Sequence, residues 1–298
     1  MSDVCFIVNP KSGAKRGRER LVDRICRIWR DAGREPEVLL TARRGHGGEL
    51  AKEAAASGMP LVVAVGGDGT INEVASGLVG TRTALGIVPA GSGNGFARNF
   101  GIPLEQETAI RSLLDPVTKP VDVGTVNGRH FFCGMGIGLD AAVAAGFDRF
   151  GVRGRLPYFV VGVREFLRYR PQPVEVRLDS EVLRGSPLLL YFANTPQYGS
   201  GAVIAPRAQP DDGALDVCWL SPVSTLSALC NVRRLFDGTI DAWEAMTVKR
   251  ARRATIYRAE AGYFHLDGDP YWGASVLEVD LLPGSLTLAV GMAKGARR

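Results

Sequence analysis

The sequence predicts two domains: a doubly wound α/β domain over residues 1–125, then a mostly antiparallel β-sandwich domain over 126–298. The last strand of the second is a candidate to return to the first. Three observations carry this expectation. The chain has 298 residues, and domains run to about 150 residues each. Up to about residue 120, short apolar runs alternate with amphipathic stretches, the mark of a parallel sheet with helical crossovers. After Asp122 the texture becomes short β-type runs separated by turns such as Asp212-Gly213, Asp237-Gly238 and Pro283-Gly284.

Val4 to Val8 reads as a buried strand ending in Asn9-Pro10. From Arg18 to Ala32, Leu21, Val22, Ile25, Ile28 and Trp29 fall on one helical stripe, with charged residues opposite. Glu37 to Leu40 is a second strand, and His46 to Ala56 a second helix closed by Gly58. Leu61 to Val65 is a near-continuous apolar strand, as in a sheet covered on both faces. Ile71, Val74, Ala75 and Leu78 make a third helical face, and Ala84 to Val88 a fourth strand. In the second half, strands are expected at 130–135, 174–178, 188–193, 214–220, 254–257, 263–266, 276–281 and 286–290. One helix is expected from Leu156 to Arg168, and a loose basic tail from Lys294 to Arg298.

Composition narrows the class. Apolar residues make up 46% and charged residues 22%, which supports a real core and excludes a disordered chain. The apolar runs are too short to cross a bilayer, which needs about 20 residues. The start lacks the pattern of a signal peptide. Five cysteines, Cys5, Cys26, Cys133, Cys218 and Cys230, lie far apart with no metal or disulfide spacing. The expectation is a cytoplasmic protein. The net charge of +5 suits an anionic surface or substrate, and no nucleic-acid motif is present.

Glycine concentrates in short loops at strand ends. Gly66-Gly67-Asp68-Gly69-Thr70 follows a strand and opens a helix. Its glycines let backbone N–H groups turn toward a ligand, and the helix offers its positive end to phosphate. A carboxylate in such a loop repels phosphate unless a metal or a proton transfer involves it, so Asp68 is a candidate for a Mg²⁺-water network or a general base. The plain alternative is a tight turn with Asp68 as the helix cap. Pro89-Ala90-Gly91-Ser92-Gly93-Asn94-Gly95 is a second such loop, whose Ser92 and Asn94 can hydrogen-bond phosphate or base. Asn9-Pro10-Lys11-Ser12-Gly13 is a third, with Lys11 able to reach anionic oxygens. Loops at the carboxyl ends of neighbouring parallel strands line one crevice, which suggests a nucleotide with several phosphates.

These three loops together resemble the diacylglycerol kinase catalytic-domain family, which includes bacterial lipid kinases and sphingosine and ceramide kinases. The likeness continues through Asn194, Gly199-Ser200-Gly201, Pro206 and Asp211-Asp212-Gly213-Ala214-Leu215-Asp216-Val217, and ends at Leu266-Asp267-Gly268-Asp269, similar to a late acidic motif that is usually Asp-Gly-Glu. It spans almost the whole chain in order. The resemblance implies a fold like that of NAD kinases and diacylglycerol kinases, with ATP bound between the domains, and ATP- and Mg²⁺-dependent phosphorylation of a lipid hydroxyl.

Carried over by position, the nucleotide would meet Asn9, Lys11, Thr41, Gly66, Gly67, Asp68, Gly69, Thr70, Ile71, Asn72, Gly91, Ser92 and Asn94. The base would be Asp269, one methylene shorter than the usual Glu, with Asp267 or Asp68 sharing the task through water. Asp122 matches an acidic position of the Mg²⁺-water network. A structural Mg²⁺ would sit on Asp212 with carbonyls of Gln209 and Ala214, where the residues alone also read as a hairpin turn. Asp140 aligns with a lipid-headgroup aspartate of sphingosine kinases, which leaves diacylglycerol and a long-chain base both open.

Tyr158 to Val163 with Phe166 and Leu167 reads as core or an acyl tunnel, and Lys249-Arg250 with Arg252-Arg253 as a solvated face or a membrane patch. His46, His130 and His265 have no triad or metal spacing, His265 alternating outward in its strand, and Trp219, Trp243 and Trp272 read as packing residues. The partner is a lipid at the membrane surface met peripherally, no amphipathic anchor is evident, and a homodimer is open. An NAD kinase-like enzyme and a non-catalytic lipid- or nucleotide-binding protein are the alternatives.

Overall fold

Strand β1 (Val4–Val8) is buried at every position, as a strand sandwiched between helical layers must be. The computed structural model describes residues 2–12, 18–150, 162, 164–199 and 201–291. It divides into two units, Met1–Val121 with Gly284–Arg298, and Asp122–Pro283.

In the first unit, β1 lies between β2 (Glu37–Leu40) and β3 (Leu61–Gly66), and β4 (Ala84–Pro89) extends the sheet, all in parallel. The next strand comes from the far end of the chain. The last part of β18 (Val276–Gly291) runs parallel to β4, with Thr287 opposite Ala84 and Leu288 opposite Leu85. The crossovers are α1 (Arg18–Asp31), α2 (His46–Ala56) and α3 (Asp68–Leu78), with α4 (Gly95–Asn99) and α5 (Gln106–Ser112) after β4. The apolar stripe of α1 behaves as its spacing requires. Leu21, Ile25, Ile28 and Trp29 are buried, Val22 is half-exposed, and Trp29 meets Phe6 of β1 edge-on. Ile71, Val74, Ala75 and Leu78 of α3 are all buried.

The second unit is antiparallel. After β5 (Pro116–Val126) and its hairpin partner β6 (Arg129–Phe131) come β7 (Gly134–Gly138), α6 (Leu139–Phe150), β8 (Val174–Leu178), β9 (Val182–Gly185) and β10 (Leu189–Ala193). A small hairpin, β11 (Gln197–Gly199) with β12 (Ala202–Val203), precedes β13 (Leu215–Leu220). Then follow helices α7 (Thr225–Asn231) and α8 (Arg234–Asp237), and strands β14 (Met246–Ala251), β15 (Arg253–Arg258), β16 (Gly262–Leu266) and β17 (Asp269–Gly273). One sheet has the order β14-β13-β10-β7-β16-β17, and the opposing strands are β9-β8-β15 and the first part of β18.

Alternation along β10 shows the layering. Leu190 and Phe192 enter the core shared with Val176, Ile256, Leu277 and Val279 of the opposing strands. Tyr191 and Ala193, on the other face, pack under Ile204, Ala208 and Ile240. The two faces make this unit a β-sandwich with a second, smaller core outside it. Most of the expected helix at 156–168, the Tyr158–Val163 segment, Ser200 and the basic tail lie outside the described residues. No helix among the described residues is long and apolar enough to cross a membrane.

Candidate active site

The first unit's strand order reverses direction at β1 and β3, because β2 lies on one side and β4 on the other. Loops leaving the carboxyl ends there diverge and open a crevice. The three glycine-bearing loops meet at this point. The Asn9 amide donates to the Thr70 hydroxyl at 2.8 Å and its Oδ1 accepts the Lys11 N–H at 2.8 Å, so the loop after β1 is stitched to the first turn of α3. Thr41 follows β2 and ties back to β1 through its N–H on the Val8 carbonyl at 3.0 Å.

Gly67, not Asp68, is the N-cap of α3, and no side chain caps the helix. Gly67 has no side chain to offer the first N–H groups, of which that of Asp68 meets its own carboxylate, and the turn stays open to solvent or a ligand. Gly67 and Gly91 press together: a Cβ on Gly91 would lie 2.7 Å from the Gly67 Cα. The Ala90 N–H donates to the Gly66 carbonyl at 2.7 Å. Asn94, in the left-handed region at φ +51°, turns its Oδ1 to accept the Gly91 N–H at 3.0 Å.

Asp68 sits at the centre and joins the loops. It accepts the Phe96 N–H at 3.2 Å, and the N–H groups of Gly95 and Asn94 also face it. Burial pushes its carboxyl above the ordinary range, and those N–H groups oppose the shift. Lys11, Gly69, Gly91 and Ser92 line the exposed lip, whereas Ile71 is buried in the core and supports α3 from below.

Glu73, one residue beyond Asn72, accepts the N–H groups of Gly45 and Gly47 at 2.8 and 3.2 Å and fixes the start of α2. The sequence reading did not single it out. The available signal was a carboxylate half-buried on the packed side of α3.

In the second unit, a chain of hydrogen bonds connects the remaining acidic positions. Asp122 accepts the Gly213 N–H at 2.8 Å, and its own N–H donates to the Pro210 carbonyl, so it holds the turn that carries Gln209, Asp212 and Ala214. The wholly buried Asn194 amide donates to the carbonyls of Asp122 and Phe132. The Asp267 carboxylate then accepts three successive backbone N–H groups, from Phe132, Cys133 and Gly134, at 2.7 to 3.1 Å. Such a nest of N–H groups fixes a carboxylate firmly. Asp267 at φ +50° and Gly268 at φ +92° form the two-residue turn between β16 and β17, and both signs of φ suit a type I′ hairpin. Asp269 follows at once and is exposed.

His265 does not face outward from its strand. It is buried, with Nε2 3.0 Å from Asp140 Oδ2, and Gly268 donates its N–H to Nδ1 at 3.3 Å. The other oxygen of Asp140 accepts the Ala141 N–H at 2.8 Å. The spacing of β16 hid this contact because both faces of the strand are covered.

The comparisons with known proteins follow the same division. Residues 3–126 match the diacylglycerol kinase catalytic domain, and residues 134–290 match the YegS C-terminal NAD kinase beta sandwich-like domain. The chain is 30% identical over 89% of its length to a diacylglycerol kinase of Bacillus subtilis (strain 168), covering 88% of that protein. The chain belongs to the diacylglycerol kinase-type lipid kinase family. It is also 35% identical, over 92% of its length and 90% of the relative, to a probable lipid kinase YegS-like of Pseudomonas aeruginosa (strain UCBPP-PA14). A crystal structure from Bacillus anthracis str. Sterne superposes with a TM-score of 0.81 at 25% identity, over 98% of this chain and 97% of that one. A diacylglycerol kinase structure from the same strain gives a TM-score of 0.74 at 24% identity, over 98% and 97%.

One position departs from what a metal needs. The Arg250 guanidinium pairs with Asp212 Oδ2, and its Nε stands 3.6 Å from Asp216 Oδ1. The other Asp212 oxygen accepts the Ala214 N–H at 3.2 Å. As arranged, the half-exposed Arg250 guanidinium takes up the Asp212 charge that a divalent ion at the turn of Gln209, Asp212 and Ala214 would need, so an ion there would have to displace it. Arg250 lies directly across from Asp216 in the β13–β14 register, which the sequence reading took for part of a basic cluster. That cluster is largely paired with carboxylates: Lys249 with Glu181, Arg250 with Asp212, and Arg253 with Asp280. Trp272 is not a packing residue either; it is exposed and leans edge-on against Tyr263.

Proposed function

We propose that the protein is an ATP- and Mg²⁺-dependent lipid kinase acting on the hydroxyl of a diacylglycerol. The observation that carries this reading is the uncapped start of α3 joined to the Gly91 loop through Asp68, a backbone cradle of the kind that phosphates occupy. Lys11 and the N–H groups of Gly67 to Thr70 hold the donor's phosphates, with Asn72 and Ser92 at the rim. Mg²⁺ carried by the nucleotide supplies charge neutralisation. Phosphoryl transfer asks a protein mainly for positioning and electrostatics.

The lipid hydroxyl oxygen forms a bond to the γ-phosphorus as the bond to the bridging oxygen breaks and ADP departs. The hydroxyl proton passes to Asp269, the exposed carboxylate next to the Asp267 anchor. Asp267 itself is occupied by backbone donors and acts by holding the turn.

Diacylglycerol is favoured over a long-chain base because Asp140 is turned inward. Both of its oxygens are engaged, one by His265 and one by Ala141. It therefore serves the packing of this unit and not a headgroup.

The test is transfer of label from γ-labelled ATP to a panel of diacylglycerol, sphingosine and ceramide, with NAD as a separate acceptor. Label in diacylglycerol is expected. Label in NADP would overturn the lipid assignment, and label nowhere would favour a binding protein.

A further inference from the structure

We propose that the exposed face of α7 and α8 is the surface by which this protein docks on an anionic bilayer. The proposal rests on the lipid kinase reading, because it supplies the approach to a membrane-dissolved substrate that no helix among the described residues provides by spanning. The two helices bury none of their residues, yet they carry an unusual concentration of bulky apolar side chains. Leu226 is 72% exposed, Leu229 66%, Val232 44% and Phe236 63%. Scattered single apolar residues are normal on a surface, but a contiguous group in one short segment marks an interaction site.

The spacing makes them one stripe. Leu226 and Leu229 are one turn apart, and Val232 and Phe236 continue the row through the bend into α8. Leu235 points the other way and packs with Trp243 against the smaller core under β10, so the patch is mounted on folded structure.

Charge selects a bilayer as the occupant. Arg233, 90% exposed, and Arg234 flank the row. The acids on this hairpin are engaged locally: Asp237 accepts the Thr239 hydroxyl at 2.6 Å and stands 3.9 Å from Arg233 Nε, a long pair that leaves the guanidinium solvated, and Asp241 pairs with Arg207 at 3.1 Å. A row of leucine and phenylalanine bordered by arginine is the composition of a helix lying in the lipid interface. The larger basic cluster at 249–253 is a poorer candidate, since its pairs with carboxylates are all within 3.1 Å, closer than that of Arg233 with Asp237.

The experiment is vesicle co-sedimentation of the full chain, with phosphatidylcholine alone and with phosphatidylglycerol added. Two variants are compared with wild type: L226S/L229S/F236S and R233E. Wild type is expected to bind the phosphatidylglycerol vesicles. The triple variant should lose at least ~10-fold in binding, since each apolar group contributes to interfacial affinity, and R233E should lose binding only where phosphatidylglycerol is present. Activity on a short-chain, water-soluble diacylglycerol should not change in either.

Binding of the triple variant equal to wild type, or no binding by wild type, would overturn the proposal. So would a wild-type dimer that the triple substitution converts to a monomer with vesicle binding intact, which would assign the face to a second copy of the chain. If vesicle binding behaves as expected but no lipid is phosphorylated, the surface stands and the kinase reading falls.

Discussion

His265 and Asp140 form a buried pair, Nε2 to Oδ2 at 3.0 Å, with side chains 2% and 1% exposed. Because the Gly268 N–H donates to Nδ1, the imidazole proton lies on Nε2 and points at the carboxylate. The pair thus connects α6 to the hairpin that bears Asp269, and Tyr191 of β10, across β7, stacks on the imidazole.

Removing the carboxylate charge should reshape acid stability. Burial holds the Asp140 carboxyl above its ordinary range, with His265 opposing the shift. The folded state therefore binds a proton more tightly than the unfolded state, whose value is about 3.9. Stability from this group grows as pH falls from neutral through the raised value and levels off below the unfolded one. Denaturant unfolding of wild type and Asp140→Asn between neutral and acid pH should show wild type gaining on the variant toward low pH. Parallel curves would show that the carboxyl is not held as described.

Asp269 and Asp267 should separate cleanly by kinetics and stability. Asp269→Asn is expected to lower kcat by about 10²–10⁴-fold, with melting temperature unchanged because the side chain is exposed. Asp269→Glu should keep activity. Asp267→Asn should destabilise the fold by about 1–3 kcal/mol, since it weakens three half-buried backbone contacts. A large kcat loss in the Asp267 variant at unchanged stability would reverse the two roles.

Gly91→Ala probes the cradle without adding charge. The new methyl would lie 2.7 Å from the Gly67 Cα and 2.9 Å from Asn94 Oδ1, so the two loops must part. Overpacking of this kind costs about 1–3 kcal/mol. KM for ATP should rise more than KM for the lipid, measured by varying each substrate in turn. Equal effects on both would place the loop away from the nucleotide.

The Arg250–Asp212 pair predicts how the second unit responds to cations. Wild-type melting should be the same in EDTA and in MgCl₂, read without substrates. Arg250→Ala should be less stable by up to about 1 kcal/mol, as for a half-exposed pair, and so melt lower, and MgCl₂ should now raise its melting temperature. A Mg²⁺-dependent rise in wild type would show that the ion displaces the guanidinium.

The periodic elements were legible in the sequence because burial leaves a direct trace. The α1 stripe, the buried runs of β3 and β4 and the face of α3 all appear where their apolar spacing puts them. Strands β9, β14 and β17 were not foreseen, since Val182-Leu183-Arg184-Gly185, Met246 to Ala251 and Asp269 to Gly273 are exposed or half-exposed over most of their length and mix polar with apolar residues. The glycine loops were readable as motifs. Pairings across long separations were not: Asp140 meets His265, Asp212 meets Arg250, and Glu73 meets Gly45 only because the fold brings them together. The α7–α8 stripe escaped notice because its four residues, Leu226, Leu229, Val232 and Phe236, are ordinary core types, and only their exposure makes them unusual.

The return of β18 beside β4 sets an order in time. Leu286, Leu288 and Ala289 are buried within the first unit, and Ser285 accepts the N–H of Gly80. During synthesis, residues 1–121 emerge with the edge of β4 unpaired, and residues 122–283 must follow before the missing strand exists. At about 5–20 residues per second, that is a wait of roughly 10–30 s. The Gly91 loop leaves that same β4, so a nascent chain carries the whole glycine motif before the sheet beneath it is complete. A chain cut short before residue 284 would leave β4 as an open edge and expose the apolar surface that Leu286, Leu288 and Ala289 otherwise cover.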